Sequence, residues 1–341
     1  MKYFKKRRKY DNYEPLLKKK RKLYIKKRKQ KEPYSQLIKI IINCILFIMS
    51  ILILGKKKFF SKKKLVKTKV AMCTLVKREN RYLKYFIEFY FKLGYNHIYF
   101  YDNNEIGDEA ITDLDIVKEG IKNGYITVID FKIRKGNFQA TAYSDCYDKY
   151  NILYDWISFF DVDEYLMLKP KGVTIQEFMD SPRYKKCELV KFNWKIYTDN
   201  DQLDYIDQPL IERFPNESKY TMENRHVKSI ARGKLDLKKI RNNGSPHSVF
   251  SEVKACSISG KETDWKYYIY PPDHQFGWLN HYITKSIREF FEKKFKTKGK
   301  VNTKAISERT KMYLFHYFFS VNHKTKEKVD LFNQIFNTSY K

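Results

Sequence analysis

The sequence predicts an α/β fold: a mainly parallel sheet sandwiched by helices. Two observations carry this. From Lys69 onward, short apolar runs alternate with segments whose apolar residues recur at helical spacing. The fourth apolar run, Trp156–Phe160, ends abruptly in Asp161-Val162-Asp163-Glu164. Strands alternating with helices at this spacing pair in parallel and are covered on both faces. Ligands of such sheets bind beyond the carboxyl ends of the strands, so the polar groups after each strand are the ones to read for chemistry.

The elements follow in order. Val70–Val76 is a nearly unbroken apolar run and predicts a buried strand. Asn80–Leu93 places Leu83, Phe86, Ile87, Tyr90 and Leu93 on one helical face, and Gly94 stops the helix. His97–Tyr101 predicts a second strand with Asp102-Asn103-Asn104 as its loop. Thr112–Asn123 predicts a helix closed by Gly124, Ile126–Phe131 a third strand, and Gln139–Tyr150 a helix before the acid-tipped strand.

The ends of the chain differ from this region. Residues 1–36 are rich in Lys and Arg and predict a basic, disordered arm. Leu37–Leu54 is apolar except for Lys39, Asn43 and Ser50, and its 18 residues are just enough for a membrane anchor, assigned to 37–55. An interfacial or docked helix is the alternative. A cleaved signal peptide fits less well, because the basic arm is long and no small-residue cleavage site follows. Residues 56–68 predict a basic linker, 69–300 the main folded domain, and 301–341 a C-terminal helical extension. The positive-inside rule favours a single-pass protein with its N-terminus in the cytoplasm.

The formal net charge of +30 invites a nucleic-acid reading, but its distribution opposes one. Residues 1–69 hold 25 Lys/Arg against three Asp/Glu, whereas the remainder holds 44 against 36. The charge belongs to the leader, where it suits anionic membrane lipid. The alternative kept open is a basic, membrane-associated nucleic-acid-binding or scaffold protein without catalysis. A phosphoesterase would use a denser His/Asp cluster than this single pair. The five cysteines include no CxxC pair and predict buried free thiols rather than a disulfide framework.

Asp161 and Asp163 stand at i and i+2, so both can face one cation while Val162 turns to the core. Carboxylates that share a divalent ion with substrate phosphates are the usual setting for Mn²⁺ or Mg²⁺. Further segments follow in a set order: Lys77-Arg78-Glu79-Asn80, Tyr101-Asp102-Asn103-Asn104, Gln139, Asp145-Cys146, Pro209–Phe214, Val227–Ile230 with Arg232, Pro246-His247-Ser248, and Asn280–Ser286. Together with the acid motif they resemble the glycosyltransferases of family 92 and their bacterial family-2-like relatives, over about residues 68–300. The resemblance implies the GT-A (nucleotide-diphospho-sugar transferase) fold. It also implies transfer of a hexose from a nucleotide-sugar donor, UDP-linked and galactose among the options, to a glycan or surface-polysaccharide hydroxyl, with inversion.

On that resemblance His281 is the third metal ligand beside Asp161 and Asp163, with His247 the runner-up or a substrate contact. Lys77, Asp102, Asn103, Gln139, Asp145 and Lys285 are donor-side candidates; Arg213, Lys228 and His247 would meet acceptor or phosphate. An Asx-rich turn at 102–104, a solvated helix start at Lys77 and plain surface charge at Arg213 and Lys228 are the alternatives. Asp199, then Asp201, are the candidate catalytic bases, although an acidic surface turn fits them equally. The loop at 200–204 is more acidic than the family pattern.

Overall fold

The structure, a computed structural model, describes residues 68–341 except 106, 134–135, 220–221, 237–240, 243–244, 265, 298–299 and 302–305. The basic arm, the proposed anchor, Cys44 and residues 56–67 of the linker lie outside the described residues. No helix among the described residues is long and apolar enough to cross a membrane.

β1 (Val70–Val76) is buried along its whole length, which explains an unbroken apolar run in place of an alternating one. α1 (Asn80–Leu93) buries Tyr82, Leu83, Phe86, Ile87 and Tyr90. It ends at Gly94, whose φ of 103° lets its N–H turn back to the carbonyls of Phe91 and Tyr90. β2 (His97–Asp102), α2 (Asp115–Lys122), β3 (Ile126–Asp130), α3 (Phe138–Tyr150) and β4 (Trp156–Phe159) follow. The helix expected over 112–123 starts later: Leu114 is extended, so Ile111–Asp113 forms only a separate 3-10 turn.

β1 pairs in parallel with β2 and β4, and β2 pairs in parallel with β3. Side chains of β1 alternate between two cores: Val70, Met72 and Val76 join α1, while Ala71, Cys73 and Leu75 join α3. Phe86 is fully buried against Tyr90, Phe100 and Tyr165; truncating it to Ala costs about 3–5 kcal/mol.

The C-terminal half departs from the parallel expectation. It comprises β5 (Glu164–Leu168), α4 (Ile175–Met179), β6 (Leu189–Ile196), α5 (Leu210–Arg213), β7 (Val227–Arg232), β8 (Arg241–Asn242), β9 (Phe250–Ser251), β10 (Ala255–Ser257), β11 (Glu262–Thr263), β12 (Gly277–His281), α6 (Ile287–Phe295), α7 (Glu308–Val321) and α8 (Lys326–Phe336). β7 inserts between β4 and β6 and runs against both. β6 pairs in parallel with β10 and β12, and β5 runs against β12. The sheet is therefore mixed. Because β7 opposes β4, its first residues lie beside the last residues of β4, where the acid motif begins. α6, α7 and α8 share their own core of Phe290, Phe291, Phe315, Phe318, Phe332 and Phe336.

The cysteine expectation is corrected. Cys73 of β1 is bonded to Cys146 of α3, and Cys187 to Cys256 of β10. The partners are 73 and 69 residues apart, a separation that leaves no local spacing signal.

Candidate active site

The loop after β4 is held from beneath by Phe160 and Val162, both fully buried. The Asp161 N–H donates to Glu164 Oε2 at 2.9 Å, and the Glu164 N–H donates to the Asp161 carbonyl at 3.0 Å, which closes the turn. The two motif acids then meet cations from distant parts of the chain. Asp161 Oδ2 is 2.9 Å from Lys228 Nζ of β7, and its Oδ1 accepts from Tyr143 Oη at 2.9 Å and from Gln139 Nε2. Asp163 Oδ2 accepts from Lys285 Nζ and Lys293 Nζ, each at 2.8 Å. Its Oδ1 faces His281 Nε2 at 3.7 Å. Glu79, just after β1, completes the set through Lys293 at 2.9 Å and Lys285 at 3.6 Å.

Electrostatics follow from burial and pairing. Burial alone would raise the Asp163 carboxyl, but Lys285 and Lys293 hold it well below the usual carboxylate range. Asp161 shows the same balance, lowered chiefly by Lys228. Glu164 lies fully buried next to Asp161, and burial pushes its carboxyl well above the usual range. Lys293 is only partly withdrawn from solvent; the cost of that desolvation is outweighed by Asp163 and Glu79, which raise its pKa. The His281 imidazole is pushed down to about 4 by burial, so its ring is neutral at physiological pH.

A cleft of about 230 Å³ opens beside Asp161, lined among others by Lys77, Arg78, Gln139 and Lys293. A second of about 200 Å³ shares Arg78 and Lys293 and extends to Asn80 and Asn104. Arg78 has a φ of 58°, strained for a non-glycine, and its N–H donates to Asn104 Oδ1 at 2.6 Å. Such strain at the mouth of a charged cleft is characteristic of ligand sites.

Asp161, Asp163, His281, Gln139, Lys228 and Lys285 therefore converge. Gln139 touches the motif acid itself. Lys77 lines the cleft and lies 3.5 Å from Glu105. Asp102 and Asn103 are buried at the end of β2, where Asp102 accepts from the Asn104 N–H at 2.9 Å. His247 forms part of an adjoining wall: its ring is 5.1 Å from Trp194, which is 4.2 Å from His281.

Four candidates have other employment. Asp145 accepts from Tyr101 Oη at 2.7 Å and pairs with Lys149 on its own helix, so it ties α3 to β2. Arg213 is buried in a two-pronged pair with Glu289 at 3.0 and 2.6 Å. Both oxygens of Asp199 accept from buried Lys328 Nζ of α8, at 3.2 and 3.0 Å. Asp201 contacts the same amine at 2.8 Å. Lys328 thus occupies the groups expected to take a proton. Glu79 and Glu164 stand inside motifs already singled out but were given no role of their own, and Tyr143 and Lys293 were not singled out at all; Lys293 is one of several lysines near the end of α6 and carries no local signal.

The resemblance implies a divalent ion beside the motif acids. Among the described residues no group of three or more His, Cys, Asp or Glu is drawn together as a ready metal site. The donor chemistry fits nonetheless: a neutral imidazole nitrogen and a carboxylate oxygen face each other at 3.7 Å, too far for a hydrogen bond, with a second carboxylate two residues away.

A mixed sheet with acids at the tip of an inner strand and a cationic cleft beside them fits a glycosyltransferase fold. The family model described as glycosyltransferase family 92 matches residues 67–338, and the chain belongs to that family. The match runs past residue 300, so α7 and α8 lie inside the family region, not beyond it as the sequence reading had it. A Ricinus communis protein described as a glycosyltransferase family 92 protein is 25% identical over 108 residues, 32% of this chain and 18% of that relative. The match thus spans less than a fifth of that relative's length.

Proposed function

We propose that the chain is a glycosyltransferase that moves a hexose from a nucleotide-sugar donor, UDP-linked with galactose as first choice, to an acceptor hydroxyl of a glycan or polysaccharide, with inversion. The observation that carries the reading is the convergence of Asp161, Asp163 and His281 with three lysines beside a cleft. Asp161, Asp163 and His281 would hold Mn²⁺ or Mg²⁺. The ion would supply positive charge where the leaving diphosphate becomes negative. Lys285 and Lys293, which neutralise Asp163, would offset the charge of diphosphate oxygens placed beside them. Lys228 holds Asp161 in place, and Arg78 and Lys77 add charge to the cleft that would take the nucleotide. Family 92 membership and the cleft chemistry support a nucleotide-sugar donor; the donor sugar and inversion rest on the resemblance alone.

We also propose that residues 37–55 anchor the protein, with the basic arm against anionic lipid and the N-terminus in the cytoplasm. The two disulfides favour an oxidising compartment for the remainder of the chain.

The test is a nucleotide-sugar screen with the full chain, with and without Mn²⁺. Turnover that needs the metal and is lost in Asp163→Ala is expected. Full activity in that variant, or turnover in excess chelator, would contradict the mechanism.

A further inference from the structure

The beginning of β7 carries groups that the acid site leaves unused. β7 pairs with β4 so that Ser229 lies beside Phe159, and Lys228 reaches Asp161. His226 precedes β7 in an extended bridge with Tyr268, and its carbonyl accepts from the Trp194 N–H at 3.0 Å. Residues two apart on an extended strand share a face, so His226 emerges on the same side as Lys228, one step further along.

The His226 ring is tightly oriented. Nδ1 lies 3.0 Å from Glu223 Oε2 and 3.1 Å from the Glu223 carbonyl oxygen. Both are acceptors, so in the neutral ring Nδ1 carries the hydrogen and Nε2 keeps its lone pair. Among the described residues Nε2 has no hydrogen-bond partner. The Glu223 carboxyl is held low by His226, which keeps it ionised to fix the ring.

Rings connect this histidine to the acid site. His226 lies 5.3 Å from Trp194, and Trp194 lies 4.2 Å from His281, the imidazole that faces Asp163. On the outer side Tyr267 runs nearly parallel to His226, at 17° and 6.2 Å, and is 47% exposed. Met222, 49% exposed, stands on the same 3-10 turn as Glu223. An exposed aromatic face over an oriented polar group suits a sugar ring, which is apolar on one face and hydroxylated at its edge.

We propose that His226 is the base that deprotonates the acceptor, with Glu223 positioning it and Tyr267 carrying the acceptor sugar. The inference rests on the transferase reading above. In the step, the acceptor O–H proton passes to His226 Nε2 while the acceptor oxygen bonds to the anomeric carbon. The bond from that carbon to the diphosphate oxygen breaks, and its electron pair leaves with the nucleoside diphosphate. The imidazolium then returns the proton to solvent. Asp199 is unsuited to this role because Lys328 holds both its oxygens.

The test compares two nucleophiles in the full chain with Mn²⁺ and UDP-hexoses. Water must lose a proton to react; azide has none to lose. In His226→Ala, donor hydrolysis should fall at least about 100-fold, whereas glycosyl azide should form at the wild-type rate and UDP should bind as before by calorimetry. Glu223→Gln should show the same split, about 10-fold. The ratio of the two rates is independent of the folded fraction; His226→Asn gives a second reading if the Ala variant folds poorly. An unchanged ratio in His226→Ala, alongside an active wild type, overturns the base assignment alone. A wild type inert toward every nucleotide sugar overturns the transferase reading and this inference together.

Discussion

Two buried charge clusters in this protein are built to opposite ends. Arg213 and Glu289 form a closed pair. The guanidinium also reaches Gln202 Oε1 at 3.0 Å and the Asp204 carbonyl at 3.2 Å, and the carboxylate accepts from Tyr82 Oη at 2.6 Å and the Ser286 N–H at 3.2 Å. The acid loop brings Asp161, Asp163, Glu164 and Glu79 against three lysines drawn from β7 and from either side of the start of α6. Lys293 is 38% exposed at the cleft, and one Asp163 oxygen faces the His281 ring at 3.7 Å, beyond hydrogen-bond reach. Burial with every nitrogen and oxygen partnered secures the fold, whereas burial with an atom turned toward a cavity prepares a place for a charged ligand.

Breaking the closed cluster has the largest expected consequence. Glu289→Ala leaves the Arg213 charge buried and unpaired, so unfolding in urea should show a loss of about 3–5 kcal/mol. Donor affinity per folded molecule should stay within about twofold of wild type. Equal loss of donor binding would show the two clusters to be one.

Opening the acid loop should do the reverse. Asp163→Ala should lower turnover about 100- to 1000-fold, the scale of losing one preorganised charge contact to the transition state, while circular dichroism shows the fold retained.

A third test concerns the wall beside the acids. Burial pushes the His247 imidazole down to about 3, with Lys228 adding to the effect. The unfolded chain takes this proton near pH 6.5. Between those values the unfolded state binds more protons, so stability rises with pH and is lost as pH falls below about 6.5, by at most about 1.4 kcal/mol per unit. His247→Phe should reduce the slope in urea titrations between pH 6.5 and 4.5 without abolishing it, because buried His281 contributes with the same sign; an unaltered slope would place the titrating group elsewhere.

The smallest effect is expected at Asp145. Its carboxylate serves Tyr101 and the half-exposed Lys149, so Asp145→Asn should cost about 1 kcal/mol or less and leave the donor KM unchanged. A raised KM would return Asp145 to the donor site.

How far the sequence could be read follows from distance along the chain. β1 to β4, with their parallel order, were legible because each strand and helix writes its own period. The acid motif was legible because its two carboxylates adjoin a buried strand. The cations were less so: Lys228 and Lys285 were singled out for phosphate, and only folding brings them onto Asp161 and Asp163. Lys285 and Lys293 reach Asp163 from 122 and 130 residues away. The acidic turn at Asp199 and Asp201 read as a candidate base until Lys328, 129 residues beyond Asp199, closed on it. β7 running against β4 was illegible because strand direction is set by tertiary pairing and not by apolar period.

The most direct test of the central claim is UDP binding to the full chain, measured by calorimetry with and without Mn²⁺. The acid loop as a cation-borne diphosphate site predicts binding that appears with Mn²⁺ and disappears in Asp163→Ala. Equal affinity without the metal, or in the variant, would contradict it.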